Sequence, residues 1–189
     1  MTRATAPRIM METPRLRLRE LEPSDLDFVA AMLCDAEVMR YYPSTYSRNE
    51  AEQWLERQRA RYRRDGHGLW LVEERASGVS VGQVGLVFQD VNGERLPEVG
   101  YLIHRPWWRR GYASEAARAV RDHAFDALDY PRVVSLIRQA NGPSQGVARK
   151  LGMQRVGSAT HGAAGLDHLV FSLERPAAGV SRTLSREGP

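Results

Sequence analysis

The chain has 189 residues, 26% of them charged and 42% apolar, with a formal net charge of +4 and a pI near 9.6. That length suits one domain with a sizeable core, and no apolar run approaches the ~18 residues of a membrane span. Lys150 is the only lysine, so nearly all the positive charge is arginine, and it is scattered rather than gathered on one face with interleaved aromatics, which argues against a nucleic-acid partner.

The opening MTRATAPRIMMETP carries charge without the apolar stretch of a secretory signal, and residues 1–12 read as a flexible leader. Residues 14–21 alternate, with Leu16, Leu18 and Leu21 facing inward and Arg15, Arg17 and Arg19 outward, which predicts a half-buried strand. Pro23 and Ser24 open a helix with Ser24 as cap, Asp25 and Asp27 at its positive end, and an apolar stripe through Leu26, Val29, Ala30 and Leu33. Cys34 is the only cysteine, which excludes an internal disulfide and fits a reducing cytoplasm. Its helical spacing with Phe28, Ala31 and Met32 predicts a packed thiol.

Ser47 begins a second helix, with Glu50 completing a capping box, and Asp65-Gly66 ends it. The arginines at 57, 59, 61, 63 and 64 suit either a solvated helix face or an acidic partner. Residues 67–73, 80–89 and 97–105 are strand-like runs punctuated by RASG and VNGE, an antiparallel meander. A helix follows over residues 110–128, with Ala113, Ala116, Ala117, Val120, Ala124 and Leu128 as its apolar face. Residues 133–139 form a strand, 143–151 a short helix, and 153–159 and 167–173 two closing strands. Residues 175–189, rich in Pro, Ala, Gly, Ser and Arg, read as a disordered tail.

The most informative stretch is EVGYLIHRPWWRRGYASEA at residues 98–116. A strand leads into a basic glycine turn and directly into a helix. The first N–H groups of a helix lack intrahelical partners and the helix dipole adds positive charge, so such a junction cradles a phosphate or pyrophosphate. Gly111 permits close backbone approach, Arg109 and Arg110 add charge, and Ala113 and Ser114 keep the helix start small. The same pattern also serves as a plain connection in α/β domains. Neither a P-loop nor a G-x-G-x-x-G fingerprint is present.

The order β-α-α-β-β-β-α-β-α-β-β, with this turn at its centre, resembles the GNAT family of acyl-CoA N-acyltransferases. TPRLRLRELEPSDLDFVAAMLCDAEVMRYY resembles the opening of the family's RimJ/RimL-type branch, and ANGPSQGVARKLGMQRVG its N-x-x-S-x-x-V-x-x-K-L-G-[FM] segment. The similarity covers about residues 12–174. It implies an α+β, three-layer fold with a mixed, mostly antiparallel central sheet flanked by helices. It also implies acetyl-CoA as cosubstrate, an amine acceptor (a peptide N-terminus or a small molecule), no metal, and homodimerisation, with no sequence feature fixing the interface.

The family signature [QR]-x-x-G-x-[GA] maps onto Trp108, Arg109, Arg110, Gly111, Tyr112 and Ala113, with Trp in the first position. By the resemblance, backbone groups at Leu102, Ile103 and His104 bind the pantetheine arm in a gap between strands and polarise the acetyl carbonyl. Trp108 to Ser114 hold the pyrophosphate. Asn141 contacts the cofactor or orders a water beside it. Ala148 stands where many relatives carry a tyrosine, so the proton for the departing thiolate comes from Ser144 or from no side chain at all.

The attacking amine must lose a proton, and Glu98 is the first choice of general base. Period-2 alternation places it on one face with Gly100, Leu102 and His104. A solvated strand-end carboxylate is the bland reading of the same residue. His161, Asp167 and His168 do not offer the spacing of a metal site. Residues 41–61 and the HGAAGLD hairpin are expected to frame the acceptor, the hairpin as a mobile lid. A non-catalytic acyl-CoA-binding sensor module is the alternative to an enzyme.

Overall fold

The computed structural model describes residues 7–162 and 165–176. Among them, eight strands form one sheet in the order β1-β2-β3-β4-β5-β6-β8-β7: β1 (Ile9–Glu12), β2 (Leu16–Arg19), β3 (Leu69–Glu74), β4 (Ser80–Val91), β5 (Glu94–Ile103), β6 (Arg132–Ile137), β7 (Gln154–His161) and β8 (Leu166–Glu174). Every neighbouring pair is antiparallel except β5 with β6. The four α-helices are α1 (Leu26–Leu33), α2 (Arg48–Asp65), α3 (Tyr112–Asp126) and α4 (Gly142–Lys150). This is the mixed, mostly antiparallel α+β arrangement expected.

Local chemistry sets the element ends. Ser47 accepts from the Glu50 N–H while the Glu50 carboxylate accepts from the Ser47 N–H, closing the capping box of α2, and Gly66 ends that helix at φ 76°. Asn92 (φ 54°) and Gly93 (φ 88°) make the tight turn joining β4 to β5, whose left-handed pair matches the twist of the flanking strands. α3 begins at Tyr112 rather than Arg110, because Arg109 (φ 62°) and Gly111 (φ 82°) are left-handed and cannot continue a helix.

The sheet is covered on both faces. Trp70, Val84, Leu86, Val99 and Ile103 pack with Ala116, Ala117 and Val120 of α3 and Ala148 of α4. On the other face Leu71, with Leu69 and Leu102, packs with Val29, Met32 and Leu33 of α1 and Ala51, Trp54 and Leu55 of α2. β5 therefore has one side chain set toward each helix pair, and both sets bear on the site.

Three expectations need correction. Of the expected leader, residues 9–12 are a strand: Ile9 pairs with Arg19, and Met10 and Met11 pack against the core. Four residues without clean alternation carry too little pattern to announce a strand. The cap at the start of α1 is not Ser24. A 3-10 turn (Pro23–Asp25) precedes that helix, and the Asp25 carboxylate accepts from the Glu22 N–H while Arg19 clamps both its oxygens at 2.8 Å. Cys34 caps the C-terminal end of α1 and is exposed, because its backbone is still helical and places it on the solvent face with Asp27 and Ala31, both exposed. Residues 1–6, 163–164 and 177–189, which include half of the expected leader, most of the expected tail and the centre of the expected lid, lie outside the described residues.

Candidate active site

β5 and β6 share a single ladder pair, Glu98 with Val134, and then part. A cleft of about 490 Å³ opens there and runs to the start of α3. Of the sequence-predicted residues, Leu102, Ile103, Trp108, Arg109, Gly111, Tyr112, Ala113, Ser114, Asn141 and Ser144 line it. Residues 40 apart in the chain thus meet in one space. Glu98, His104 and Arg110 are not in its lining.

The start of α3 is chemically open. No side chain caps it, and its first intrahelical bond is from Glu115 N–H to Gly111 C=O at 3.0 Å. The N–H groups of Tyr112, Ala113 and Ser114 therefore precede the helical ladder. α2 and α4, by contrast, are capped by Ser47 and Asn141. Arg109 and Lys150 bring positive charge to the same cleft. An uncapped helix start beside two cations is a fit for a pyrophosphate.

The loop before α3 is held from several sides. Trp108 donates its indole N–H to the Ile103 carbonyl at 2.6 Å, which ties the loop to the end of β5. Arg15 reaches up from the start of β2: Nη1 donates to the Arg110 carbonyl at 3.0 Å, Nε donates to Glu115 at 2.7 Å, and the guanidinium sits 4.8 Å from the Tyr112 ring centre. Arg110 itself does not enter the cleft. Its guanidinium lies over the Trp107 ring at 4.6 Å, where stacking replaces the phosphate contact its charge suggested.

The expected backbone contacts also divide. The Ile103 carbonyl is taken by Trp108, and the His104 N–H is donated to Val81 on β4 at 2.9 Å, away from the gap. The His104 ring meets Phe28 edge-on, and burial lowers its pKa, offset in part by Asp35. Leu102 and the backbone on the β6 side of β5 keep their place along the cleft.

Glu98 is half-buried and tied at both oxygens. One accepts from Gln89 Nε2 at 2.7 Å and the other from the Leu136 N–H of β6 at 3.0 Å. It is a linchpin of the strand parting rather than a solvated strand end. A carboxylate offers about four lone-pair sites, so two remain for water or substrate. Asn141 accepts the Ser144 N–H at 3.1 Å and fixes the first turn of α4. His161 and His168 stand 5.8 Å apart, ring to ring, and among the described residues no three His, Cys, Asp or Glu side chains gather as a metal-binding group.

Sequence reasoning missed Tyr101, Arg15 and the pair Glu37 and Arg40, which close the cleft from the segment after α1. Tyr101 had a signal, since it stands opposite Glu98 in the alternation of β5, but that face reads simply as core. Arg15 reads as an outward strand residue because its partners, Arg110 and Glu115, are about 100 residues away.

A parted parallel strand pair leading to an uncapped helix start fits the class of acyltransferases that use an acyl-CoA. Residues 15–154 match the acetyltransferase (GNAT) domain family, and the chain belongs to it. Two Bacillus subtilis proteins are similar to it: the uncharacterised YkkB is 34% identical over 142 residues (75% of this chain, 83% of YkkB), and the uncharacterised N-acetyltransferase YnaD 30% over 146 (77% and 82%). A crystal structure of an acetyltransferase from Agrobacterium tumefaciens superposes with a TM-score of 0.76 at 27% identity, covering 87% of this chain and 93% of that one. A structure described as a putative ribosomal-protein-serine acetyltransferase from Vibrio cholerae gives 0.74 at 24% (90% and 99%), a likeness of fold. The protein is an acetyltransferase, and its fold is one that uses acetyl-CoA.

Proposed function

We propose that the protein transfers acetyl from acetyl-CoA directly to a primary amine, of a protein N-terminus or a small molecule, in a ternary complex in the cytoplasm. The observation that carries this reading is the single cleft joining the uncapped start of α3 to the parted strands and the first turn of α4. The description of the Vibrio cholerae neighbour favours a protein acceptor, and the sequence resemblance to the RimJ/RimL-type branch points the same way.

Acetyl-CoA, when bound, supplies the acetyl group as a thioester whose thiol departs. In this reading the N–H groups of Tyr112, Ala113 and Ser114, with Arg109, hold the pyrophosphate. Leu102 and Asn141 flank the arm, and Gly111 lets the backbone come close. Glu98 takes the proton of the attacking amine through a water, using the lone pairs its two hydrogen bonds leave free. Ser144 gives a proton on the sulfur side. A general base matters most for a lysine-type amine, deprotonated in roughly one molecule in a thousand at neutral pH, and less for an α-amine, where about a tenth is free.

The test is thiol release from acetyl-CoA across α-amino peptides, polyamines, aminoglycosides and amino acids, with calorimetric acetyl-CoA binding on the same sample. Turnover with one amine class establishes the acceptor. Binding without turnover across the panel would favour a sensor module. Glu98→Gln is expected to lower kcat/KM by about 100-fold, most at low pH where the amine is protonated. A pH profile parallel to the native one would remove Glu98 from proton transfer.

A further inference from the structure

Where β5 leaves β6, Tyr101 crosses the opening. It lies on the α3 and α4 side of the sheet with Val99 and Ile103, it lines the cleft, and its hydroxyl donates to the Ser144 carbonyl at 2.7 Å across 43 residues of sequence. Ser144 is thereby gripped at both ends of its main chain, its N–H by Asn141 and its C=O by Tyr101. What remains free is rotation of its hydroxyl. Neighbouring α4 residue Ala148 is fully buried and presents no polar side chain of its own.

Tyr101 is poorly suited to give up its proton. Burial, and then the charge of Glu98, push its phenol well above the ordinary range, with partial relief from the Ser135 hydroxyl and the Ala148 N–H. Its one proton is already committed to the Ser144 carbonyl at 2.7 Å, so it has none to offer a departing thiolate. The phenol is instead a fixed donor to a carbonyl, and a fixed donor orients.

We propose that Tyr101 is the positioning residue for Ser144: it locks the first turn of α4 against β5 and so aims the Ser144 hydroxyl at the sulfur end of the cleft. This rests on the role given to Ser144 in the proposed function. Without the tie, α4 would keep its Asn141 cap yet lose its fixed distance from β5, and the hydroxyl would wander by the sub-ångström amounts that weaken a preorganised contact.

The test needs no acceptor. The full chain is titrated calorimetrically at pH 9 with coenzyme A and with desulfo-coenzyme A, which lacks the thiol. A hydrogen bond to an ionised thiolate should make the native protein prefer coenzyme A by about 10-fold. Ser144→Ala should abolish that preference. Tyr101→Phe should bind desulfo-coenzyme A within about 2-fold of native while losing most of the preference, and the double variant should match Ser144→Ala alone, since the two act through one contact. Equal weakening of both ligands by Tyr101→Phe would mean general support of the cleft and would overturn the proposal, as would a retained preference or a double variant weaker than Ser144→Ala. If Ser144→Ala itself keeps the full preference, the assignment of Ser144 fails first and takes this inference with it. If only Tyr101→Phe keeps it, the assignment of Ser144 stands and the inference alone falls.

Discussion

Arg15→Met asks whether the loop that opens α3 is held from below. Methionine keeps much of the aliphatic volume and removes the donors to Glu115 (2.7 Å from Nε, 2.6 Å from Nη2) and to the Arg110 carbonyl (3.0 Å), together with the stacking on Tyr112. The Arg15 side chain is 50% exposed, so screening limits the ion pair to about 1 kcal/mol at most, and the bond to the carbonyl adds a net ~1 kcal/mol. Glu115 keeps the Thr13 hydroxyl at 2.6 Å and the Arg15 N–H at 3.0 Å, so no charge is stranded. Unfolding free energy should fall by about 1–2 kcal/mol, read as a lower urea midpoint at constant m. Binding should feel more than the fold does. Arg109 at φ 62° stores roughly 1–3 kcal/mol that only surrounding contacts hold in place. If losing the tie leaves about a tenth of molecules with the native loop, the Kd rises about 10-fold. Calorimetry should therefore show a 5- to 10-fold weaker Kd for acetyl-CoA (an order-of-magnitude range from the same relation), with turnover at saturating acetyl-CoA unchanged. An unchanged Kd in a folded variant would refute the bracing.

Two further outcomes concern the fold. Arg19 holds Asp25 through both oxygens and Glu73 through Nε, all at 2.8 Å, with every side chain nearly buried; both carboxylates raise its pKa against the pull of burial. Arg19→Met strands two carboxylates, which should cost about 3–5 kcal/mol and lower Tm by about 10 °C in a chain of this size; a drop under about 2 °C would contradict this. His67 is buried, with Nδ1 donating to the Leu86 carbonyl and Nε2 accepting from the Tyr130 hydroxyl, each at 2.9 Å, so the neutral ring fits and burial lowers its pKa. His104 and His123 are lowered by burial as well. For such groups the unfolded chain binds protons that the folded one refuses, so stability is full above the unfolded value near 6.5 and falls as pH drops below it. The urea midpoint should decrease between pH 7 and pH 5, and a flat profile would show that these rings charge freely in the native state.

What the sequence discloses here is what its local chemistry decides. The Ser47 and Glu50 box and the Asn92-Gly93 turn were readable because each is settled within four residues. The turn and open start of α3 were readable for the same reason, since the glycine and the helix start are contiguous. Contacts across long separations were not. Arg110 promised a phosphate contact by charge alone, and only the placement of Trp107 beside it turns the guanidinium aside. Alternation put Glu98 on the correct face of β5, but its partners Gln89 and Leu136 come from two other strands. Tyr101 and Ser144 meet only because β5 and the start of α4 converge at the gap.

The gap itself is a balanced structure rather than a failure of pairing. Two strands that stop pairing leave backbone donors and acceptors that must be satisfied some other way. Here side chains supply the substitutes: the Ser135 hydroxyl donates to the Val99 carbonyl at 2.8 Å, and the Glu98 carboxylate accepts the Leu136 N–H. The tie from Tyr101 to the Ser144 carbonyl then sets how far α4 stands from the opening. Each bond offsets the ~1–3 kcal/mol that an unsatisfied buried group would cost. The parted strands are therefore held open by named side chains, and an extended ligand can enter without first breaking a ladder.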